Sequence, residues 1–328
     1  MHKGVSVIIC CYNSAWVIRR TLETLIAQRS ISDVPYEIIL VDNKCTDNTV
    51  SVAQDIMEGR PVDFRIIREE KPGLVYARRR GIWEAKYEYV IYCDDDNLLC
   101  PEYVSTVVAL FEKMPSVGAI GGKGIAEFEI EPAAIVKEHL EYFAVGSQLE
   151  HKNWLWGAGL ALRTELVKDI YNNQKCYLVG RKGNKLLSGD DAELVMSIVL
   201  RGYKTYPLDD ISYTHVLRAD RLSEEYFHRL NKGLNLTHPV LGLLQAVIND
   251  IGFRDAIQEY IYFIKRYIKY SFLWWKPLSK QKRELALKET ENYRYWGTLR
   301  LHRMYRQWVA IKRKWTEVPA PEKSPTLM

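Results

Sequence analysis

Apolar and polar positions alternate with strand and helix periods along the first part of the chain. Val5-Ser-Val-Ile-Ile-Cys-Cys11 is an apolar run of strand length that breaks into the polar turn Tyr12-Asn13-Ser14. Val17, Leu22, Leu25 and Ile26 then recur at a spacing that places them on one helix face. A second apolar run, Glu37–Asp42, ends on a carboxylate and the polar turn Asn43–Thr49. Phe64–Arg68 predicts a third strand, Lys71-Pro-Gly73 a turn, and Val75–Lys86 a helix. The next strand, through Tyr89-Val-Ile91, runs straight into Asp94-Asp95-Asp96. Strands alternating with helices argue for an α/β sheet with parallel strands. Ligands bind such sheets beyond the carboxyl ends of the strands, so Asn13, Asp42 and Asp94–Asp96 are expected to converge there.

Three carboxylates at one strand end repel each other, and burying them unpaired costs several kcal/mol or shifts their pKa. Packing alone explains them poorly. Two of them sharing a divalent cation that also bridges a diphosphate explains them well, since hard oxygen donors suit magnesium or manganese.

Composition narrows the setting. At 328 residues and 47 % hydrophobic, the chain can bury a large core and carry an appendage. Its six cysteines lack metal-binding spacing, and several fall in predicted strands, as small buried hydrophobes would in a reduced cytoplasm. No signal-like segment opens the sequence, and no window reaches the ~18 apolar residues of a membrane span. The net charge of +5 hides an asymmetry: Arg254–Trp315 holds 16 Lys/Arg against 5 Asp/Glu, leaving 30 basic and 36 acidic residues elsewhere.

Taken in order, the motifs resemble those of the inverting family 2 glycosyltransferases. Val5–Asn13 is similar to the family's opening strand, with Cys10-Cys11 in place of Pro-Thr. Val41–Thr49 looks like its nucleotide-base loop, with Lys44 and Cys45 where smaller residues are commoner. Gly73–Gly81 resembles the Gly-Leu-x-x-Ala-Arg-Asn-x-Gly helix, with Arg79 replacing Asn. Asp94–Asp96 resembles the Asp-x-Asp metal motif, and Gly189-Asp190-Asp191 the acidic pair that supplies the catalytic base. The resemblance covers residues 4–220. It implies an α/β GT-A (Rossmann-like) mixed sheet flanked by helices, expected over 1–220. Composition, not the resemblance, predicts a helical extension over 221–316 and a flexible tail over 317–328.

The resemblance also implies roles. Asp191 is the expected general base, taking the acceptor hydroxyl proton; equally, a helix starting at Asp190 favours carboxylates in its first turn. Cys11, Tyr12, Asn13, Asp42, Arg78 and Asp95 are the expected donor-binding residues, although Asp42 also suits a turn-capping role. Asp94, Asp96 and His215 are the candidate ligands for Mn²⁺ or Mg²⁺; a lone histidine is otherwise a structural hydrogen-bonder. Trp154, Trp156, Gly157 and Asp190 are the acceptor-side candidates, and the tryptophans alternatively fill core.

Two basic, aromatic stretches, Tyr260–Lys276 and Lys282–Lys314, lie outside the resemblance. They suit an anionic membrane surface, a helical cap or a dimer contact, and no nucleic-acid partner is expected. The expected activity is metal-dependent transfer of a hexosyl or N-acetylhexosaminyl group from a nucleotide sugar, UDP by default. The expected acceptor is a lipid-linked surface glycan, reached at the cytoplasmic face of the membrane. A sugar-phosphate nucleotidyltransferase would carry a glycine-rich phosphate loop after the first strand, and Cys10–Ser14 is not one. A non-catalytic membrane- or glycan-binding protein on a transferase core is the other alternative.

Overall fold

A computed structural model describes residues 1–29, 34–181, 186–258 and 295–316. The predicted helix-like stretch Tyr260–Lys276, part of the second basic stretch and the tail 317–328 lie outside the described residues.

The first strand, β1 (His2–Cys11), is flanked on both sides by parallel partners, β2 (Tyr36–Asp42) and β4 (Tyr87–Asp94), while β3 (Asp63–Arg68) adds beyond β2. Cys11 pairs with Asp42 and Cys10 with Asp94, so three strands end level on one edge. The chain reverses order across β1, which leaves a crevice at that edge. The rest of the sheet is mixed. The short strand β7 (Leu160–Arg163) runs antiparallel to β4 and to β6 (Val117–Phe128), which in turn lies parallel to β8 (Lys204–Leu217). The three-residue β5 (Asn97–Leu99) closes the order β3-β2-β1-β4-β7-β6-β8-β5.

Alternation along each inner strand feeds two cores. Val5, Val7, Ile9 and Cys11 of β1 and Ile38 and Leu40 of β2 meet helices α1 (Ile18–Ile26), α2 (Thr49–Met57) and α4 (Tyr103–Lys113). Ile8, Ile39 and Val41 face the opposite way, toward α3 (Leu74–Glu84), α6 (Thr164–Asn173) and α7 (Asp190–Val199). Helix α3 lies so close to β1 that a Cβ at Gly81 would sit 2.4 Å from Ile8. The predicted helix is thus found, shifted to Leu74–Glu84.

Residues Lys204–Leu217 form a single strand of 14 residues. Within it Asp209 pairs with Lys123 (3.8 Å) and accepts from Ser147 (2.9 Å), beside the register shift against β6 at Gly121/Lys123.

A third core lies beyond the sheet. After α8 (Glu224–Asn235) and α9 (His238–Ile248), the C-terminal helix Thr298–Thr316 returns to pack on α9. Val240, Leu243, Leu244 and Val247 meet Leu301, Met304 and Trp308, with Met196 and Leu200 from the end of α7 below them. The described part of the basic extension is therefore a cap on the transferase-like core. No helix among the described residues is long and apolar enough to cross a membrane.

Candidate active site

A cleft of 1190 Å³ opens at the level strand edge. Cys11, Tyr12, Asn43, Arg78 and Asp94–Asp96 line one half. Trp154, Trp156, Gly157, Asp190 and Asp191 line the other, with Asn235, His238 and Gln245 of the α8–α9 region.

Asp96 sits 3 % exposed in the turn between β4 and β5. Its Oδ2 accepts from Arg221 (2.8 Å), and its Oδ1 lies 3.5 Å from Nε2 of His215. Burial works against this charge, but His215 and Arg221 outweigh it and hold the carboxyl well below its ordinary range. The neighbouring Asp95 accepts from the Ser14 hydroxyl. Burial, followed by the Asp96 charge, pushes Asp95 up to about 7. Asp94 turns away from both and meets Arg78 (3.3 Å).

The His215 ring is oriented from behind. Its Nδ1 lies 2.7 Å from the Phe143 carbonyl oxygen, which only accepts, so Nδ1 carries a proton and Nε2 is the nitrogen turned to Asp96. Among the described residues no three His, Cys, Asp or Glu side chains converge to hold a metal by themselves. Asp96 and His215 nevertheless fit a cation whose remaining ligands are phosphate oxygens and water, the usual way magnesium is bound beside a nucleotide.

Asp191 stands in the first turn of α7. Its Oδ2 accepts the Gly157 N–H (2.7 Å) and its Oδ1 the Ala192 N–H (2.8 Å), so the carboxylate is held fixed on the cleft wall. Asp190 beside it pairs with Arg78 (3.0 Å). Burial pushes Asp190 up to about 6, with the Asp191 charge adding to it and Arg78 opposing.

Other expected residues sit further back. Asp42 caps its own turn through the Cys45 N–H (2.7 Å) and pairs with Arg68 (2.6 Å); its neighbour Asn43 reaches the cleft instead. Asn13, at φ 58°, binds Thr46 of the Asn43–Thr49 turn through the Thr46 N–H (2.8 Å). The structure thus brings Tyr12, Cys11, Asp94–Asp96, His215, Asp190, Asp191, Trp154, Trp156 and Gly157 together, with Asp42 and Asn13 shaping the loop behind them. Trp156 is 8 % exposed and serves wall and core at once, while Trp154 stacks on His151 at 3.7 Å. Sequence reasoning missed Arg221, which follows β8 in a single 3₁₀ turn, and Arg181 and Arg229, which also line the cleft.

Residues 6–168 match the model of glycosyl transferase family 2. The chain belongs to that family. It is 29 % identical over 121 residues to a poly-β-1,6-N-acetyl-D-glucosamine synthase of Staphylococcus epidermidis, and 28 % identical over 120 residues to one of Staphylococcus aureus. Each match covers 37 % of this chain and 28 % of the relative, so the chain spans under a third of the curated relatives' length. Two solved structures share the fold. S. aureus TarS 1-349 in complex with UDP-GlcNAc superposes with TM-score 0.54 at 18 % identity, covering 96 % of this chain and 90 % of that one. A mannosyltransferase of Pyrobaculum calidifontis, in complex with GDP-Man and Mn²⁺, gives TM-score 0.56 at 17 % identity, over 96 % and 86 % of the two chains. Both confirm the mixed GT-A sheet flanked by helices.

Proposed function

We propose that the enzyme transfers a sugar from a nucleotide sugar to a glycan hydroxyl by single displacement, inverting the anomeric centre. The carrying observation is the Asp191 carboxylate, pinned by the Gly157 N–H on one wall of a cleft whose other wall carries Asp94–Asp96. As the acceptor oxygen forms its bond to the anomeric carbon, Asp191 takes the hydroxyl proton. The bond to the diphosphate breaks, and its electron pair leaves with the nucleotide. Arg221 and Arg181 on the cleft wall supply positive charge for those oxygens. Asp96 and His215 would hold Mn²⁺ or Mg²⁺, which when bound stabilises the same charge as a Lewis acid.

A UDP-sugar is the proposed donor, supported by the UDP-GlcNAc complex of TarS and by the poly-N-acetylglucosamine synthase relatives. Tyr12 and Asn43 edge the nucleotide half. Trp154, Trp156 and the amides of Asn235 and Gln245 suit a carbohydrate acceptor, with apolar faces for sugar rings and neutral groups for hydroxyls. The proposed acceptor is a lipid-linked glycan of a surface polysaccharide, with the cationic face of the C-terminal helix turned to an anionic inner membrane surface.

The test is turnover of UDP-, GDP- and dTDP-sugars by the purified enzyme, with EDTA and Asp96→Ala controls. One donor consumed, and lost in both controls, supports the reading and names the sugar. No turnover together with no nucleotide binding overturns it.

A further inference from the structure

Arg78 was expected among the donor-binding residues; both of its amino groups meet carboxylates of the protein itself. It is 4 % exposed, on the face of α3 that looks into the sheet. One amino group, Nη2, donates to Asp94 at the end of β4 (3.3 Å); the other, Nη1, donates to Asp190 at the start of α7 (3.0 Å). The Tyr92 ring backs it at 5.0 Å. Gly157 closes on the other side: a Cβ there would lie 2.5 Å from Nη2 and 3.0 Å from Nη1. The same Gly157 donates its N–H to the general base, Asp191. One planar fork therefore touches the donor-side strand end, the first turn of the base-bearing helix and the residue that pins the base.

A buried ion pair is weak evidence for stability, because desolvation offsets most of its Coulombic gain. Geometry is what an arginine fork adds: two donor directions at a fixed separation, which lysine cannot reproduce. Asp94, Asp190 and Asp191 all act on Arg78, and without the cation between them these carboxylates would repel across the cleft.

From this contact set we infer that Arg78 is a positioning residue that ties Asp94 to Asp190, with Gly157 as its wedge, and so fixes the distance between the donor-holding and base-holding halves of the cleft. This rests on the transferase reading of the same site. Its action is on the separation of the reacting groups, not on nucleotide affinity. The diphosphate is left to other cations of the cleft wall.

The experiment compares Arg78→Met, Arg78→Lys and Gly157→Ala with the wild type by nucleotide calorimetry, by transfer and donor-hydrolysis rates, and by crystal structures of the nucleotide-free proteins. Misplacement by an ångström costs about 10²-fold, so Arg78→Met is expected to lower kcat of transfer by about that factor. Nucleotide Kd stays close to wild type, and the share of donor lost to hydrolysis rises. Arg78→Lys, keeping the charge and losing the fork, recovers only part of the rate. Gly157→Ala reproduces the defect with Arg78 still present, and does so even where Arg78→Met fails to fold. Loss of nucleotide affinity in step with the loss of rate would overturn the tie, since Arg78 would then be a phosphate ligand. The structures decide the matter independently of any substrate: an unchanged Asp94–Asp190 separation in Arg78→Met or Gly157→Ala overturns it, a wider one supports it. Failure of the wild type to bind or turn over any nucleotide sugar would instead count against the transferase reading alone.

Discussion

Nε2 of His215 stands 3.5 Å from Oδ1 of Asp96, and the ring between them is held from behind by the Phe143 carbonyl. The backbone sets this relationship, because Asn97 pairs with His215 across the β5–β8 ladder and carries Asp96 beside it. If the pair holds a divalent cation, His215→Ala should raise the metal concentration needed for half-maximal turnover at least tenfold. Titration of activity with Mn²⁺ at saturating donor measures it. An unchanged metal requirement would remove His215 from the site.

Asp191→Asn keeps an oxygen for the Gly157 N–H but removes the proposed proton acceptor. Transfer should fall by about 10²–10⁴-fold, with nucleotide binding and melting temperature near wild type. Full transfer activity in this variant would show that another group takes the proton.

Glu193 offers a pH signature of stability. The carboxyl is 1 % exposed and accepts the backbone N–H groups of Tyr177 and Leu178. Burial nevertheless pushes it from 4.5 up to about 7. A carboxyl with a raised folded-state pKa contributes full stability below the unfolded value and loses it as pH climbs toward the folded one. The gap in unfolding free energy between wild type and Glu193→Gln should therefore shrink by up to about 3 kcal/mol between pH 4.5 and pH 7.5. Urea melts at several pH values check it; a gap that is constant with pH would show that the folded pKa is not raised.

Leu301, Met304 and Trp308 spend the apolar face of the C-terminal helix on α9, which leaves Arg300, Arg303, Arg306, Arg313 and Lys314 exposed on a helix without one acidic residue. Membrane attachment through this helix should thus be electrostatic. Flotation with vesicles rich in anionic lipid should show binding that collapses in high salt and in the triple variant Arg300→Glu, Arg303→Glu, Arg306→Glu. Attachment indifferent to both would remove this face from the interaction.

Trp308, fully buried between helices from distant parts of the chain, should cost about 3–5 kcal/mol when replaced by alanine. Because α9 carries Gln245 and Leu241 into the cleft, the same variant should weaken acceptor use more than donor use. Separate KM values for the two substrates measure this.

The strand ends were legible because an apolar run that stops on carboxylates has few structural excuses. Asp94–Asp96 declared themselves that way, Asp190 and Asp191 through the family resemblance at a helix start, and the fold brings all five to one cleft. Arg78 did not. Flanked by Arg79 and Arg80 on a helix, it reads as one more solvated arginine, and its burial depends on Asp190, 112 residues further along. Arg221 left no signal, since its partner Asp96 is 125 residues away and nothing local marks the 3₁₀ turn that aims it. Asp42 shows the converse: a carboxylate at a strand end that spends itself on its own turn and on Arg68 while Asn43 faces the cavity. Local pattern tells where a side chain emerges from the backbone; which partner claims it is decided by elements that the pattern does not relate.

The pairing of Asn97 with His215 sets different tolerances for different kinds of mutation. Side chains alternate faces along a strand, so a slip of one residue would carry the imidazole to the far side of the sheet. Substitutions around the pair leave the ladder in place and the two donors facing one another. A single-residue insertion or deletion within β8 between Tyr213, which pairs with Leu99, and His215 would separate them without altering either donor. At this point of the fold, length is under tighter constraint than identity.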